Sequence, residues 1–305
     1  MGCAHGVRWV PDTQIPNTYF VGFSMRIALC FSGQNRTGHV TADNIKRYVG
    51  DLLPECDVIA HFWDCETRGT GYANRLGAVS TDAEWHSPKT TNPEKNVEFY
   101  RQWAPRTIMI EEYDLQPNRP KWGGRRWDPV EQKWQVSMWR SLYEANKLKM
   151  DYAQKNQIVY DYTVRLRSDL VFDSSKSLKD DLALIQNPNM FLFGDHYAIW
   201  PIHGMTRVED ILWIGPSKLM DQISTYYACY TNTVPNIDDP HQPEYQDWQW
   251  HSAHWITHQL GYQFYALTNN QMRIYTEQDV ELGIDPLNSG FGPSPKFGSF
   301  ENKFA

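Results

Sequence analysis

The sequence predicts an α/β fold with a mostly parallel central sheet flanked by helices. Short apolar runs of the kind that form buried strands alternate with amphipathic stretches of helical spacing. Two such runs, residues 26–33 and 57–63, are separated by a single predicted helix, which is the arrangement of a crossover between parallel strands. The longest apolar stripe of helical period, over residues 129–155, precedes a further strand.

The first predicted crossover consists of strand, helix and strand. The strand at 26–33 is apolar throughout most of its length. A helix is expected over residues 42–53, with Thr41 as its N-cap and Pro54 after its end. The strand at 57–63 then returns the chain to the sheet, parallel to the first strand.

The later elements continue this alternation, after a segment at 64–93 whose Gly, Thr, Asn and Ser content predicts a long loop. Strands are expected at 107–113, 190–194 and 211–214, and a strand that runs into a turn is expected over 160–172. Helices are expected at 94–104, 129–155, 216–227 and 244–260. We expect a single domain over 25–282, an N-terminal appendage over 1–24, and a surface or disordered tail over 283–305.

The composition restricts the partners and the compartment. The 305 residues have a net charge of −7, whereas proteins that bind a nucleic-acid backbone usually have a basic excess, so no nucleic-acid partner is expected. Five cysteines without a C-x-x-C pair suit a reducing compartment and give no zinc or disulfide framework. No apolar run reaches the roughly 18 to 20 residues of a membrane span, and residues 1–24 lack a secretory signal. We therefore expect a cytoplasmic protein without a membrane span.

The first polar segment at a strand end is Ser32-Gly33-Gln34-Asn35-Arg36-Thr37. In an open parallel sheet, ligands bind at the carboxyl ends of the strands. Gly33 lets a ligand approach the backbone closely, and Arg36 offers a planar fork to a phosphate. The alternative interpretation is an ordinary polar loop between a strand and a helix.

The second polar segment is Arg165-Leu166-Arg167-Ser168-Asp169. Strand alternation predicts that Arg165, Arg167 and Asp169 lie on one face. Burying two arginines and an aspartate is costly without a charged ligand or mutual pairing. A nucleotide diphosphate with a divalent cation, Mn²⁺ or Mg²⁺, fits this set, with the arginines facing phosphate oxygens and Asp169 facing the metal. The alternative is an Arg–Asp salt-bridge network that satisfies itself.

Both segments resemble motifs of a diffuse group of glycosyltransferases with the Rossmann-like GT-A fold, which build bacterial, phage and algal-virus surface glycans. The first similar motif is Ser-Gly-Gln-x-Arg-Thr at 32–37. The second is Tyr-Asp-Tyr-x-Val-Arg-x-Arg-x-Asp-Leu-x-Phe at 160–172, where x marks variable positions, of which 163 is Thr and 166 is Leu in this chain. Weaker similarity at 209–215 and 243–261 extends the resemblance over about 26–265. It implies transfer of a sugar from a nucleotide-sugar donor to a glycan or another hydroxyl acceptor.

The resemblance also implies roles for individual residues. The donor is expected to lie across the residues Ser32, Gly33, Gln34, Arg36, Thr37, Arg165, Arg167 and Asp169. Arg167 replaces the first carboxylate of the family's Asp-x-Asp, so Asp169 remains as the metal ligand, or else Arg167 takes the cation's place in neutralising the leaving diphosphate. If the reaction inverts, the resemblance implies an acidic general base, for which the candidates in order are Asp210, Glu209 and Asp195.

Other patterns favour no competing enzyme class. His251, His254 and His258 share a helical face without the Glu of an H-E-x-x-H motif, and the chain lacks the G-x-G-x-x-G, Walker and G-x-S-x-G motifs. Trp122 or Trp127 could stack on an acceptor sugar, although such a loop is more often a solvated basic turn. Two further functions stay open: a non-catalytic carbohydrate-binding or structural protein on the same fold, and a nucleotide-sugar hydrolase.

Overall fold

Strands and helices alternate along the chain. The computed structural model describes residues 25–66, 89–90, 93–111, 129–194, 211–225, 228, 263–267, 272–274 and 277–287. The strands are β1 (Ile27–Gln34), β2 (Cys56–Trp63), β3 (Cys65–Glu66), β4 (Lys89–Thr90), β5 (Thr107–Glu111), β6 (Tyr162–Leu166), β7 (Leu170–Phe172), β8 (Met190–Gly194), β9 (Leu212–Pro216), β10 (Gln263–Leu267) and β11 (Met272–Ile274). The helices are α1 (Gly38–Val49), α2 (Pro93–Trp103), α3 (Pro129–Asn156), α4 (Leu178–Ala183), α5 (Ser217–Ser224) and α6 (Glu277–Glu281).

Seven of the strands form one central sheet, in the order β10-β8-β9-β6-β1-β2-β5. β1 lies between β2 and β6 and pairs with both in parallel, while β5 adds in parallel to β2 and β10 to β8. Within this sheet β9 runs in the opposite direction, antiparallel to both β6 and β8. The predicted α/β class, with a mostly parallel central sheet flanked by helices, is therefore confirmed.

The strand order changes direction beside β1. From β1 the chain moves to β2 and then to β5 on one side, and after α3 it returns to β6 on the other side of β1. Such a reversal opens a crevice at the carboxyl ends of the two central strands, where open α/β sheets bind their ligands. The topology therefore places the expected ligand site between the ends of β1 and β6.

Helices cover the two faces of the sheet. On one face, Leu29 and Phe31 of β1 pack with residues of α1 and α2, and the ring of Phe31 meets that of Phe99 edge-on at 5.1 Å. On the other face, Ala28 and Cys30 pack with residues of α3. β1 is thus buried on both sides, as expected of a central strand in a parallel sheet.

A buried lysine fixes the position of α3. Lys149 donates from Nζ to the hydroxyls of Thr163 in β6, at 3.1 Å, and of Ser217 in α5, at 3.0 Å, and it pairs with Asp221. A buried ammonium group needs such partners, because an unpaired one would be costly to desolvate. α3 is therefore anchored to β6 and α5 near its C-terminal end.

α1 begins four residues earlier than predicted, and the prediction of a helix over 42–53 is wrong at both ends. The helix covers Gly38–Val49, because Thr37 rather than Thr41 precedes the first turn. Thr41 lies inside the helix, where its buried hydroxyl contacts the carbonyl oxygen of Thr37 at 3.3 Å. Gly50, with φ of +58°, ends the helix, and a 3-10 turn follows.

The segment at 160–172, which was predicted as a strand that runs into a turn, contains two strands with the turn between them. β6 ends at Leu166, residues 167–169 turn, and β7 begins at Leu170. β7 leaves the central sheet and pairs antiparallel with β11. The two arginines and the aspartate of the second polar segment are therefore divided between a strand and a turn.

The remaining predicted elements lie partly inside and partly outside the described residues. The predicted helix at 129–155 and strand at 190–194 are α3 and β8, and the segment predicted as a long loop contains the short antiparallel pair β3–β4. The predicted helix at 244–260, with its three histidines, and the loop with Trp122 and Trp127 lie outside the described residues. None of the described helices combines the length and apolar composition that crossing a membrane requires.

Candidate functional site

The crevice between β1 and β6 brings together the two polar segments that the sequence singles out. Pairing of β1 with β6 ends at Phe31 and Leu166. Residues 32–37 continue from the first strand and residues 167–169 from the second. Both segments therefore flank one opening, at the carboxyl ends of two neighbouring parallel strands.

Arg36 and Arg167 converge on the carboxylate of Asp169. Nη2 of Arg36 donates to Oδ2 of Asp169 at 2.7 Å, and Arg167 donates through Nε to Oδ1 at 2.8 Å and through Nη2 to Oδ2 at 2.7 Å. Asp169 is fully buried, whereas the side chains of Arg36 and Arg167 are 14% and 20% exposed. Two positive charges and one negative charge leave one net positive charge at the opening, which favours an anionic ligand.

Arg165 lies apart from this cluster. The prediction that Arg165, Arg167 and Asp169 share one face of a continuous strand is wrong, because the strand stops one residue after Arg165. Nε of the buried Arg165 donates to Oγ of Ser32 at 2.7 Å, and its guanidinium carbon lies 5.9 Å from the centre of the Trp213 ring. Arg165 and Ser32 thus join β6 to β1 on the sheet face covered by α3.

α1 holds the turn that contains Asp169. The hydroxyl of Thr41 donates to the carbonyl oxygen of Ser168. The side-chain amide of Asn44 accepts from the backbone N–H of Phe172 at 2.7 Å and donates to its carbonyl oxygen at 3.1 Å. The backbone is therefore fixed on both sides of Asp169, which places its carboxylate before any ligand binds.

The rest of the first segment connects β1 to α1. Gln34 is the last residue of β1, and its carbonyl oxygen accepts from the hydroxyl of Ser168 at 3.4 Å. Asn35 is buried and donates from its side-chain amide to that of Asn96 in α2, at 3.0 Å. The carbonyl oxygen of Thr37 accepts the first hydrogen bonds of α1. This connection is therefore held by both the turn after β6 and α2.

Gly33 has a backbone conformation that favours glycine. Its φ is +116°, and a Cβ placed there would meet no atom within 4 Å, so the conformation rather than crowding selects glycine. Its N–H lies two residues beyond Phe31, where pairing with β6 ends, and it donates to Oγ of Ser141 in α3 at 2.7 Å. A side chain of α3 thus supplies the acceptor that the neighbouring strand no longer offers.

Ser141 belongs to a set of polar side chains behind the Gly33 backbone. Oγ of Ser141 lies 2.9 Å from Nδ1 of the buried His61, and Nε2 of His61 lies 3.1 Å from Oε2 of Glu111. Arg140 pairs with the other oxygen of Glu111, and its guanidinium carbon lies 5.9 Å from the centre of the Trp63 ring. Sequence analysis did not select these residues; the one signal was a histidine within the apolar run of β2.

The surroundings of Glu111 keep its carboxyl group ionised. Burial raises the pKa of Glu111, but the hydrogen bond from His61 and the positive charge of Arg140 outweigh burial and leave the pKa below its ordinary value of 4.5. An ionised carboxylate only accepts hydrogen bonds. In the contact with Glu111 the proton therefore comes from Nε2 of His61.

A second carboxylate held by two arginines lies at the amino ends of the strands, opposite the crevice. Asp57, near the amino end of β2, accepts from Arg26 at 3.1 Å, from Arg106 at 2.7 Å and from the hydroxyl of Tyr160 at 3.0 Å. The amino ends of parallel strands are not where open α/β sheets bind ligands. Position in the fold, and not the pairing alone, therefore distinguishes Asp169, and the Asp57 cluster offers an internal control.

The described residues do not fit a divalent cation at Asp169. Both oxygens of its carboxylate are occupied by three hydrogen bonds from two guanidinium groups. Divalent cations prefer several oxygen ligands, and in the described part of the chain no three His, Cys, Asp or Glu side chains come together.

The three candidate general bases, Asp210, Glu209 and Asp195, lie outside the described residues. The chain next to two of them is described: the backbone N–H of Arg167 donates to the carbonyl oxygen of Ile211 at 3.1 Å. Ile211 is the residue that follows Asp210 in the sequence, so the described chain contacts the turn after β6 directly after the first candidate.

Comparison with known proteins gives distant structural likenesses. No family model matches the chain, and no curated protein matches it. The chain is similar to the crystal structure of a glycosyltransferase involved in the glycosylation of the major capsid of PBCV-1, with a TM-score of 0.34 and 9% identity over 79% of this chain and 82% of that one. It is also similar to the apo-form glycosyltransferase GlyE of Streptococcus pneumoniae TIGR4, with a TM-score of 0.33 and 10% identity over 81% of this chain.

The chain spans 46% of the GlyE chain, less than half of its length. At this distance neither likeness carries an argument about activity, so the function is argued from the residues of this chain.

Proposed function

We propose that the chain is a glycosyltransferase of the GT-A type, which moves a sugar from a nucleotide-sugar donor to a glycan or another hydroxyl acceptor. The observation that supports this most is the meeting of Arg36 and Arg167 across the crevice between β1 and β6. Guanidinium groups match phosphate oxygens in charge and in geometry. The crevice is the place where the topology favours a ligand, and its net charge suits a diphosphate.

The arginines would act on the leaving group. When the bond from the sugar to the diphosphate breaks, negative charge develops on the leaving phosphate oxygen, and donors already in place stabilise it. Arg36 contacts Asp169 through Nη2, one nitrogen of a group with five N–H donors, so the other donors of that guanidinium can turn to a phosphate. Asp169 itself keeps two like charges close together and positions them.

The acceptor hydroxyl would lose its proton to an acidic residue if the reaction inverts. Asp210 is the first candidate, since its neighbour Ile211 accepts a hydrogen bond from the backbone of Arg167. Glu209 precedes it, and Asp195 follows Gly194 at the carboxyl end of β8.

A second candidate function is a non-catalytic carbohydrate-binding protein on the same fold. The observation that favours it is the carboxylate of Asp169, which accepts three hydrogen bonds from Arg36 and Arg167 without any ligand. A network that satisfies itself needs no diphosphate. This protein would bind glycans and would not bind nucleotide sugars.

One experiment separates these functions. The melting temperature of the full chain is measured with UDP-, GDP-, dTDP- and CMP-sugars, each with and without Mn²⁺, because a ligand of the native state raises it by mass action. Consumption of the stabilising donor is then followed with and without glycan acceptors. Stabilisation by one nucleotide class and turnover that an acceptor accelerates support a transferase. Turnover that no acceptor accelerates indicates a hydrolase, and glycan binding without donor binding rejects the proposal.

A further inference from the structure

A continuous series of hydrogen bonds leads from β5, the outermost strand on one side of the sheet, to the Gly33 backbone. It runs from Glu111 at the end of β5 to His61 in β2, at 3.1 Å, and on to Ser141 in α3, at 2.9 Å. From Ser141 it reaches the N–H of Gly33 at 2.7 Å. Side chains of β5, β2 and α3 are thus connected in series to one backbone amide beside the crevice.

The proton positions along this path are consistent with one another. The ionised Glu111 accepts from Nε2–H of His61, so a neutral His61 has an unprotonated Nδ1. The single hydroxyl proton of Ser141 has two acceptors within reach, Nδ1 of His61 at 2.9 Å and the carbonyl oxygen of His61 at 3.2 Å, and Nδ1 is the nearer one. The lone pairs of Oγ are then directed to the N–H of Gly33, which is the bond that the structure contains.

Gly33 has this bond in place of pairing with β6. Its N–H lies beyond the paired part of β1 and β6, and a Cβ at this position would contact nothing within 4 Å. With φ of +116° and no side chain, the residue has wide conformational freedom when unbound. Gly33 still pairs with Phe62 of β2, and the hydroxyl of Ser141 adds a second restraint on its backbone, three positions before Arg36.

We propose that Ser141, His61 and Glu111 are positioning residues, which hold the Gly33 backbone and so keep Arg36 in place for a diphosphate. This inference rests on the proposed function for the ligand, but its structural part does not. None of the three residues touches the reacting atoms in this account. They act through the backbone between β1 and α1.

The first test compares Ser141→Ala with Ser224→Ala. Ser224 is an equally buried helical serine whose hydroxyl donates to the carbonyl oxygen of Met220 at 2.7 Å, far along the chain from the crevice segments. Amide hydrogen exchange of residues 32–37 and the affinity for inorganic pyrophosphate are measured for both variants of the full chain. We expect Ser141→Ala to speed exchange and to weaken pyrophosphate binding by about tenfold, the scale of one hydrogen bond.

Ser224→Ala is expected to change neither quantity, and Ser141→Thr, which keeps the hydroxyl, is expected to restore both. Equal exchange in the two alanine variants overturns the inference, whatever the pyrophosphate result. If exchange differs as expected while the wild-type protein does not bind pyrophosphate, the proposed function fails and the positioning of Gly33 stands.

A second test uses two replacements of His61. The amide of asparagine lies where Nδ1 of histidine lies and can contact Ser141, whereas the amide of glutamine reaches the position of Nε2 and Glu111. Both replacements remove a buried imidazole and serve as controls for each other. We expect slower exchange of residues 32–37 in His61→Asn than in His61→Gln. The reverse order, or no difference, contradicts a path through Ser141.

Discussion

Nη2 of Arg36 lies 2.7 Å from Oδ2 of Asp169, which joins the segment after β1 to the turn after β6 across the crevice. The bond is between a buried carboxylate and an arginine that is 14% exposed. The two sides of the expected ligand site are therefore linked before a ligand binds. Any diphosphate that binds here must join or replace this contact, so variants of the two residues test the account.

Asp169→Asn is expected to abolish sugar transfer while the chain still unfolds cooperatively. Asparagine keeps the size and an acceptor oxygen, but it loses the charge that offsets Arg36 and Arg167, and the two guanidinium groups then repel each other. Donor turnover and thermal unfolding measure the two effects. Asp173→Asn is the control, because Asp173 is only partly buried and bonds to Ser175 nearby. Unchanged turnover in Asp169→Asn would remove Asp169 from the site.

Arg36→Gln is expected to weaken pyrophosphate binding by about tenfold or more, since hydrogen bonds to charged groups contribute about 1.5–3 kcal/mol. Arg106→Gln provides the matched control, because Arg106 also pairs with a buried carboxylate, that of Asp57, at the other edge of the sheet. Calorimetric titration of both variants shows whether pyrophosphate binds at a specific site or responds only to the net charge of the protein. Similar losses in the two variants would mean that pyrophosphate responds to the net charge of the protein alone.

Gly33→Ala is expected to lower the free energy of unfolding by about 1–3 kcal/mol, the usual cost of a non-glycine residue in a strained backbone region. The same change should weaken pyrophosphate binding, since the backbone beside Arg36 must shift. Gly50→Ala is the control: Gly50 has φ of +58° and equally open surroundings, but it lies at the far end of α1. Denaturant unfolding and pyrophosphate titration are compared, and equal binding by both variants would contradict a role for the Gly33 conformation.

Glu111→Gln is expected to be less stable than the wild-type protein at neutral pH and to approach it in acid. The pKa of Glu111 is lowered in the folded state, so its ionised form stabilises the fold above the ordinary pKa of 4.5, and this contribution is lost as the pH falls through the lowered pKa. Urea unfolding of both proteins across this range measures the difference. A difference that stays constant or grows in acid would show that Glu111 is not stabilised as an anion.

The sequence predicts the sheet better than it predicts the crevice. The buried strands β1, β2 and β8 were placed to within one residue because apolar runs between polar breaks identify them directly. The start of α1 was misplaced, since Thr37 and Thr41 are both acceptable caps and only the contacts of Thr41 within the fold decide between them. Local preference does not contain that information.

The polar contacts of the crevice depend on residues far apart in the chain. Strand alternation predicts that Arg165 and Arg167 lie on the same face, but the strand ends at Leu166 and only Arg167 lies in the turn with Asp169. Arg165 stays in the strand and donates to Ser32. Ser141 and His61 are 80 residues apart, so no local pattern could have paired them. The sequence could therefore indicate which segments meet, and the structure was needed to show which side chains within them touch.

The central claim is that Arg36 and Arg167 bind the diphosphate of a nucleotide sugar without a metal ion at Asp169. The most direct measurement is a calorimetric titration of inorganic pyrophosphate, in the presence of EDTA, into the wild-type protein and into the Arg36→Gln/Arg167→Gln double variant. We predict binding by the wild-type protein that EDTA does not reduce, and an affinity at least about tenfold lower in the double variant. Equal affinity in the two proteins, or wild-type binding that appears only when Mn²⁺ replaces EDTA, would contradict the account.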